Sequence, residues 1–219
     1  MLTVVKVGGG VGDDALPPLC TTIGELGQRH RLIVVPGGAR FADAVREADG
    51  RFGLPAPAAH RMAILAMEQF GWLLSELIAG AERRADLAPA RAGRTTVLLP
   101  AALPLDALPA SWDVTSDSIA AWVARQTGAG RLVLVKRVDG LFADWPPRGQ
   151  PLGRLSVAEL AALRTGGVDA YLPRVLEGAQ FETWVVGGRD PDRVVELLER
   201  GTTVGTRIAS ARLLPSRHG

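Results

Sequence analysis

Two short β-branched runs that each break into glycine within the first forty residues limit what this chain can become. Val4-Val5-Lys6-Val7 runs into Gly8-Gly9-Gly10, and Arg31-Leu32-Ile33-Val34-Val35 runs into Pro36-Gly37-Gly38. An apolar run of this kind reads as a buried strand. The glycines after it free the backbone for positive φ and for close approach to a ligand. Helical spacing follows both loops, with Leu16, Leu19, Ile23 and Leu26 after the first and Phe41 to Ala48 after the second. Strand–glycine–helix used twice predicts a parallel sheet with its ligand at the carboxyl ends of the strands. Two such loops suit two phosphates facing each other, because turned-in N–H groups cradle phosphate oxygens.

Lysine usage sharpens this. Of 25 Lys and Arg residues only Lys6 and Lys136 are lysine, and both end apolar runs. A compact ammonium is not interchangeable with the planar guanidinium fork. A chain this biased to arginine keeps lysine where chemistry needs a point charge.

At 219 residues and 47% hydrophobic content the chain can bury a sizeable core, built mainly from Ala, Val and Leu since aromatics are 5%. A net charge of +2 without a basic run gives no nucleic-acid track. One cysteine, Cys20, excludes an internal disulfide framework. No charged-then-apolar stretch stands before the first strand, so a signal sequence is not expected. The most apolar stretch, Met62 to Ile78, is interrupted by Glu68, Gln69, Ser75 and Glu76, so no membrane span is expected. The expected location is cytoplasmic.

Further along, Asp13-Asp14 are positioned to cap the first helix, with Pro17 and Pro18 in its first turn. Residues 57–79 read as a helix apolar nearly all round, destined for the core or a subunit interface. Residues 81–94 read as a surface connection, 95–99 as a strand and 100–109 as a loop at a lobe boundary. A helix begins at Thr115, Ser116 or Asp117. Leu132 to Val135 is a strand ending in Lys136, with a turn at 138–142. Helices over 156–163, 171–180 and 190–200, a glycine loop at Gly166-Gly167, a strand over 183–186, a hairpin over 201–208 and a frayed tail from Ala209 complete the reading.

The chain lacks the Gly-x-x-x-x-Gly-Lys-Ser/Thr P-loop, the Gly-x-Gly-x-x-Gly dinucleotide motif, the Gly-x-Ser-x-Gly elbow and a Cys/His metal constellation. Lysines and aspartates at strand ends between glycine loops remain. Phosphoryl transfer needs that inventory, since it rests on positioning and on neutralising spread negative charge.

In these motifs the chain resembles the amino acid kinase superfamily. Lys6-Val7-Gly8-Gly9-Gly10 resembles its opening Lys-x-Gly-Gly-Ser, and Pro36-Gly37-Gly38-Ala39 its second glycine loop. Thr115-Ser116-Asp117-Ser118 resembles the segment with its organising aspartate, and Val138-Asp139-Gly140-Leu141-Phe142 its nucleotide loop. Gly166-Gly167-Val168 resembles the start of its Gly-Gly-x-x-x-Lys motif, and Gly201 to Ile208 its closing Gly-Thr-x-x-Gly-Thr. The resemblance implies a three-layer α/β/α sandwich with a mainly parallel sheet, in a single domain over 1–219. An acceptor lobe would span about 1–110 and a nucleotide lobe about 111–208. It implies ATP and Mg2+ as cofactors, a small phosphorylated acceptor and a homo-oligomer.

By the same resemblance Lys6 contacts the transferring phosphate, Asp117 holds lysines, and Gly8, Gly9, Gly10, Gly37 and Gly38 offer backbone N–H groups. Lys136, Asp139, Gly140, Phe142 and Arg174 belong to the nucleotide side. Gly10 stands where the family has serine, and Arg174 near its late lysine; we expect Lys136 to take over that lysine's work. Among branches, residues 59–71 and Trp112 to Asp117 are similar to the kinases of [5-(aminomethyl)furan-3-yl]methyl phosphate in methanofuran biosynthesis. For such an acceptor Arg40 would hold the phosphate, Trp112 stack on the ring and Asp113 pair with the amine, with His60 and Ser116 nearby. Each has a plainer alternative: a surface arginine, a core or interface tryptophan, a turn aspartate, a locally bonded histidine. UMP, isopentenyl phosphate or acetylglutamate kinases, and a binding protein on the same fold, are the competing readings.

Overall fold

The computed structural model describes residues 1–163 and 166–209. One eight-stranded sheet runs in the order β3-β4-β2-β1-β5-β7-β8-β6. Its strands are β1 (Leu2–Val7), β2 (Arg31–Pro36), β3 (Glu82–Arg84), β4 (Thr95–Leu98), β5 (Arg131–Lys136), β6 (Arg154–Ser156), β7 (Glu182–Gly187) and β8 (Thr206–Ala209). The six strands from β3 to β7 in that order pair in parallel; β8 is antiparallel to β7, and β6 follows β8. The central strands β1 and β5 are apolar on both faces, as a parallel sheet covered on both sides demands.

Helices α1 (Leu16–Gly27) and α7 (Asp192–Arg200) cover one face, where Val5, Val7, Val34, Val133 and Val135 point. Helix α4 (Ser116–Gln126) covers the other, over Val4, Ile33, Val35, Leu132 and Leu134. Helix α3 (Ala56–Leu77) adds Ile64 and Met67 to the second layer and Phe70 and Leu74 to the first. Helix α2 (Ala39–Phe52) packs along α3. The short α5 (Val157–Ala162) and α6 (Leu172–Leu176) complete the α4 face. The result is the expected three-layer sandwich.

Several local expectations change. Residues 81–94 are more than a surface connection, since Glu82–Arg84 pairs with β4 as the edge strand β3. Residues 201–208 form no hairpin; Thr206–Ala209 inserts between β7 and β6, so its partners come from outside the segment. Asp13 and Asp14 do not cap α1, whose N-cap is Ala15 without a side-chain bond; Asp13 pairs with Arg40 instead. The helix expected over 171–180 stops at Leu176, where Glu177 leaves the helical region and Gly178 takes positive φ. Ala209 closes β8, and the rest of the expected tail lies outside the described residues. Helix α3 is not buried all round, because Met62, Leu65, Trp72 and Leu73 are exposed on it.

Candidate active site

Side chains alternate across a strand with period two, and that rule sets the site. Lys6 shares the face of Val4, and Lys136 the face of Leu132 and Leu134, so both lysines point to the layer that α4 occupies. β1 and β5 are adjacent, with Lys6 opposite Leu134 and Val7 opposite Val135. Asp117 comes down from the first turn of α4 between the lysines. Its Oδ1 lies 2.9 Å from Lys6 Nζ and its Oδ2 2.5 Å from Lys136 Nζ. Lys6 is 4% exposed and Asp117 2%, while the Lys136 side chain is 16% exposed, so the Lys6 end of the bridge is shielded from water and the Lys136 end partly so.

Burial by itself disfavours the Asp117 carboxylate, but the Lys136 and Lys6 ammoniums outweigh it and hold Asp117 well below the usual carboxylate range. Asp117 is therefore an ionised strut and no proton donor at neutral pH. Lys136 is lowered to about 8, because burial penalises its charge and Lys6 repels it, while Asp117 pulls the other way.

The glycine loops are stitched to the strand ends. Gly8 N–H donates to Val135 O (3.2 Å) and Gly37 N–H to Val7 O (2.8 Å). The loops also pass so close that size is excluded: a Cβ on Gly9 would lie 2.1 Å from the Ala39 Cα, and one on Gly38 2.2 Å from the Ala42 Cβ. At Gly10 the nearest atom to such a Cβ is 3.9 Å away. The serine expected from the resemblance is thus missing for no steric reason. A Cβ on Gly8 would meet Lys6 Nζ at 3.1 Å, which places that ammonium against the first loop.

Above these elements opens a cleft of about 1240 Å³. Lys6, Lys136, Ser116, Asp117 and the glycines 8–10, 37 and 38 form its floor. Arg137, Val138, Trp145, Pro147 and Gly167 line one end. Arg40, Asp43, Arg46, His60 and Trp112 line the other, against an apolar wall that includes Ile64, Met67 and Phe70. Arg40 pairs with Asp13 at 2.5 Å and Arg46 with Asp43 at 2.8 Å, all four side chains well exposed. Trp112 donates its indole N–H to Asp49 (2.7 Å), and the Arg46 guanidinium lies 5.0 Å over its ring. Burial keeps the His60 imidazole below its ordinary value, opposed by a backbone hydrogen bond with Ser111. That partner lies about fifty residues away, so His60 is not a local cap.

Some expected site residues lie elsewhere. Arg174 projects from α6 over Tyr171, 5.6 Å from the ring centroid, in a separate shallow depression. Its neighbours Leu172, Pro173 and Val175 take the buried side of that short helix, leaving Arg174 the outer side. Asp113 does not line the cleft; its carbonyl accepts from Tyr171 N–H (3.1 Å) and its own N–H bonds the Ser111 hydroxyl (3.2 Å). Asp139, Gly140 and Phe142 also fall outside it. The Asp139 carboxylate folds back over Gly187, and Gly140 sits tight against Thr206, whose hydroxyl accepts from Leu141 N–H at 2.8 Å. Glu68 anchors a loop by accepting from Ala101 N–H (2.9 Å).

Sequence reasoning missed Asp43, Arg46, Trp145 and Asp169. Helical spacing was a usable signal for the first two, since Arg40, Asp43 and Arg46 recur every third residue on α2. Asp169 was marked only by its place after Gly166-Gly167. Among the described residues no group of three or more His, Cys, Asp or Glu side chains is arranged to hold a metal ion. No helix among them is long and apolar enough to cross a membrane.

Comparison with known proteins gives the family and the fold. Residues 1–180 match the amino acid kinase family. The chain is 28% identical over 211 residues to the [5-(aminomethyl)furan-3-yl]methyl phosphate kinase of Methanocaldococcus jannaschii, covering 94% of this chain and 96% of that one. It is 31% identical over 102 residues to the acetylglutamate kinase of Bifidobacterium animalis subsp. lactis, a match spanning 44% of this chain and 33% of that relative. The uridylate kinase of Archaeoglobus fulgidus superposes with a TM-score of 0.74 at 21% identity, covering 95% of this chain and all of that one (100%). The UMP kinase of Ureaplasma parvum does so with 0.70 at 15%, covering 96% of this chain and 100% of that one. With a family match across most of its length and the fold of known kinases, the chain belongs to the amino acid kinase family and is a phosphotransferase.

Proposed function

We propose that the chain transfers the γ-phosphate of ATP to the phosphate of a small acceptor, and that the acceptor is [5-(aminomethyl)furan-3-yl]methyl phosphate, giving its diphosphate. The observation that carries this is the Lys6–Asp117–Lys136 bridge on the floor of a cleft between two glycine loops. An acceptor phosphate oxygen attacks the γ-phosphorus in line, the bond from that phosphorus to the β,γ-bridging oxygen breaks, and ADP leaves. The acceptor is already an anion, so the step needs no general base. Lys6 faces the transferring phosphate and Lys136 the ATP side, both held at fixed positions by Asp117. Helix α2 is N-capped by Gly38 and has no acidic residue in its first turn, which leaves its N–H groups and dipole to an anion.

The donor set fits a polyphosphate: two ammoniums, the Arg137 guanidinium and the N–H groups of Gly9, Gly10 and Gly38, whereas those of Gly8 and Gly37, expected to serve too, are bonded to the strand carbonyls of Val135 and Val7. Mg2+ of this kind is held largely by phosphate oxygens and water, and supplies further charge neutralisation when bound. On the acceptor side Arg40 and Arg46 take the phosphate by exchanging their aspartate partners. Trp112 and the apolar wall take the furan ring, and Asp43 rather than Asp113 faces the aminomethyl cation. The full-length relative in Methanocaldococcus jannaschii, named for this acceptor, supports the choice. The exposed apolar side of α3 is the surface we assign to a homo-oligomer contact, and the cytoplasm is the location this reading implies.

ADP release with ATP-Mg2+ and a panel of the furan phosphate, UMP, isopentenyl phosphate and acetylglutamate tests the proposal, with Lys6→Ala as control. Turnover on the furan phosphate alone, lost in the variant, is the expected result. Turnover on another acceptor replaces the substrate. ATP binding without turnover on any of the four points to a binding protein or to an acceptor outside the panel, and overturns the furan phosphate assignment.

A further inference from the structure

One carboxylate beside the cleft has no part in the transfer just described. Asp169 follows two consecutive glycines at positive φ, Gly166 (+76°) and Gly167 (+95°), and Gly167 lines the cleft. Its Oδ2 accepts from the Thr115 N–H, the Thr115 hydroxyl and the Ser118 N–H, each at 2.9 Å. Its Oδ1 accepts from the Ser118 hydroxyl (2.5 Å) and the Leu172 N–H (2.9 Å). Burial and the neighbouring Asp117 push the Asp169 carboxyl above its ordinary value, while three of these donors are backbone N–H groups, which only donate and so favour the ionised, acceptor-only form.

The placement ties two parts of the cleft together. Thr115 is the N-cap of α4 and makes no cap bond of its own to the helix. Asp169 supplies that cap from about fifty residues away, bonding the N-cap residue and Ser118 on either side of Asp117. Its own N–H donates to Asp117 Oδ2 at 3.2 Å, the oxygen that Lys136 Nζ holds at 2.5 Å. Moving the glycine turn therefore moves the carboxylate that positions both lysines.

We propose that Asp169 is a positioning residue that clamps the first turn of α4 to the glycine turn at the rim of the cleft, and thereby sets where Asp117 holds the Lys6 and Lys136 ammoniums for phosphoryl transfer. The effect on turnover rests on the kinase reading above; the clamp itself does not. The charged groups facing Lys136 are Asp117, Lys6 and Asp169, and Asp169 acts to keep Lys136 protonated.

Asp169→Asn tests this. The chain has only two lysines, so isotopic lysine labelling gives one side-chain resonance for each, readable without turnover. The variant is expected to lose at least about tenfold in kcat with KM for ATP within about threefold, since displaced catalytic groups cost rate before binding. Its Lys136 resonance is expected to titrate at lower pH than in the wild type. Unchanged kcat and an unmoved Lys136 titration, even with a lowered melting temperature, would reduce Asp169 to a helix cap and overturn the proposal. If the wild type transfers no phosphate to any acceptor, the kinase reading fails, and the lysine titration alone decides the clamp. Should Asp169→Asn not fold, Ser118→Ala removes one of the five bonds, and lysine resonances identical to wild type would sink the idea equally.

Discussion

The floor and the acceptor rim of the cleft both carry paired charges, and they use them in opposite ways. On the floor, Lys6, Asp117 and Lys136 lie at strand and helix ends under the sheet's own packing, nearly out of water. On the rim, Arg40–Asp13 and Arg46–Asp43 stand in solvent on one loop and one helix. A buried bridge has paid its desolvation already and breaks only at large cost when one partner is removed. An exposed pair is worth about 0–1 kcal/mol and exchanges partners readily. The floor thus suits a step that repeats identically, and the rim suits a ligand that must displace what is there.

Breaking the floor should cost most. Asp117→Asn leaves two buried ammoniums facing each other, so a loss of roughly 3–5 kcal/mol in chemical denaturation is expected, together with loss of turnover. A loss under about 1 kcal/mol would mean that water reaches the bridge and screens it.

The glycine loops are next. Gly9→Ala must push its methyl into the Ala39 backbone, so kcat/KM should fall by at least about a hundredfold, as expected when reacting groups are misplaced by about an ångström. Gly10→Ser, whose Cβ would meet only the Arg137 Cβ at an ordinary contact distance of 3.9 Å, is expected to stay within about 0.5 kcal/mol of wild-type stability.

Lys136 sharpens the comparison through pH. Its folded pKa, about 8, lies below the ordinary 10.5, so from about pH 8 to 10.5 the unfolded chain binds the proton and the folded one does not. By linkage this group makes stability rise with pH across that window. Phosphate neutralisation needs the ammonium, so kcat/KM measured on the free protein should fall as pH rises through about 8. Denaturation and rate profiles that move together there would contradict the assignment, and retained catalysis in Lys136→Ala would end it. Asp117 is depressed instead, so its share of stability is full above the ordinary 3.8 and is lost as pH falls below that value.

The rim should show the smallest structural effects. Arg46→Ala is expected to leave the melting temperature nearly unchanged while raising KM for the acceptor about tenfold, the loss of one charge-assisted contact. An equal fall in kcat with KM unchanged would place Arg46 in the chemistry instead.

Much of this site was legible in the primary structure because it follows from local rules. The scarcity of lysine and its place at the end of apolar runs mark Lys6 and Lys136, and glycine after an apolar strand marks both loops. The same sequence points to the layered parallel sheet and, through its ordered motifs, to the family. What stayed hidden depends on packing between distant segments. Arg174 and Asp113 sit in motifs that suggest a ligand, yet α6 turns the one outward and the backbone bonds of 111–113 keep the other out of the cleft. Asp169 meets Thr115 and Ser118 across about fifty residues, and β8 finds its partners in β6 and β7 rather than in its own segment. Residue type and spacing along the chain determined which groups were available for phosphoryl chemistry. Only the tertiary structure decided which of them share a cavity, because that is set by how the helices close over the sheet.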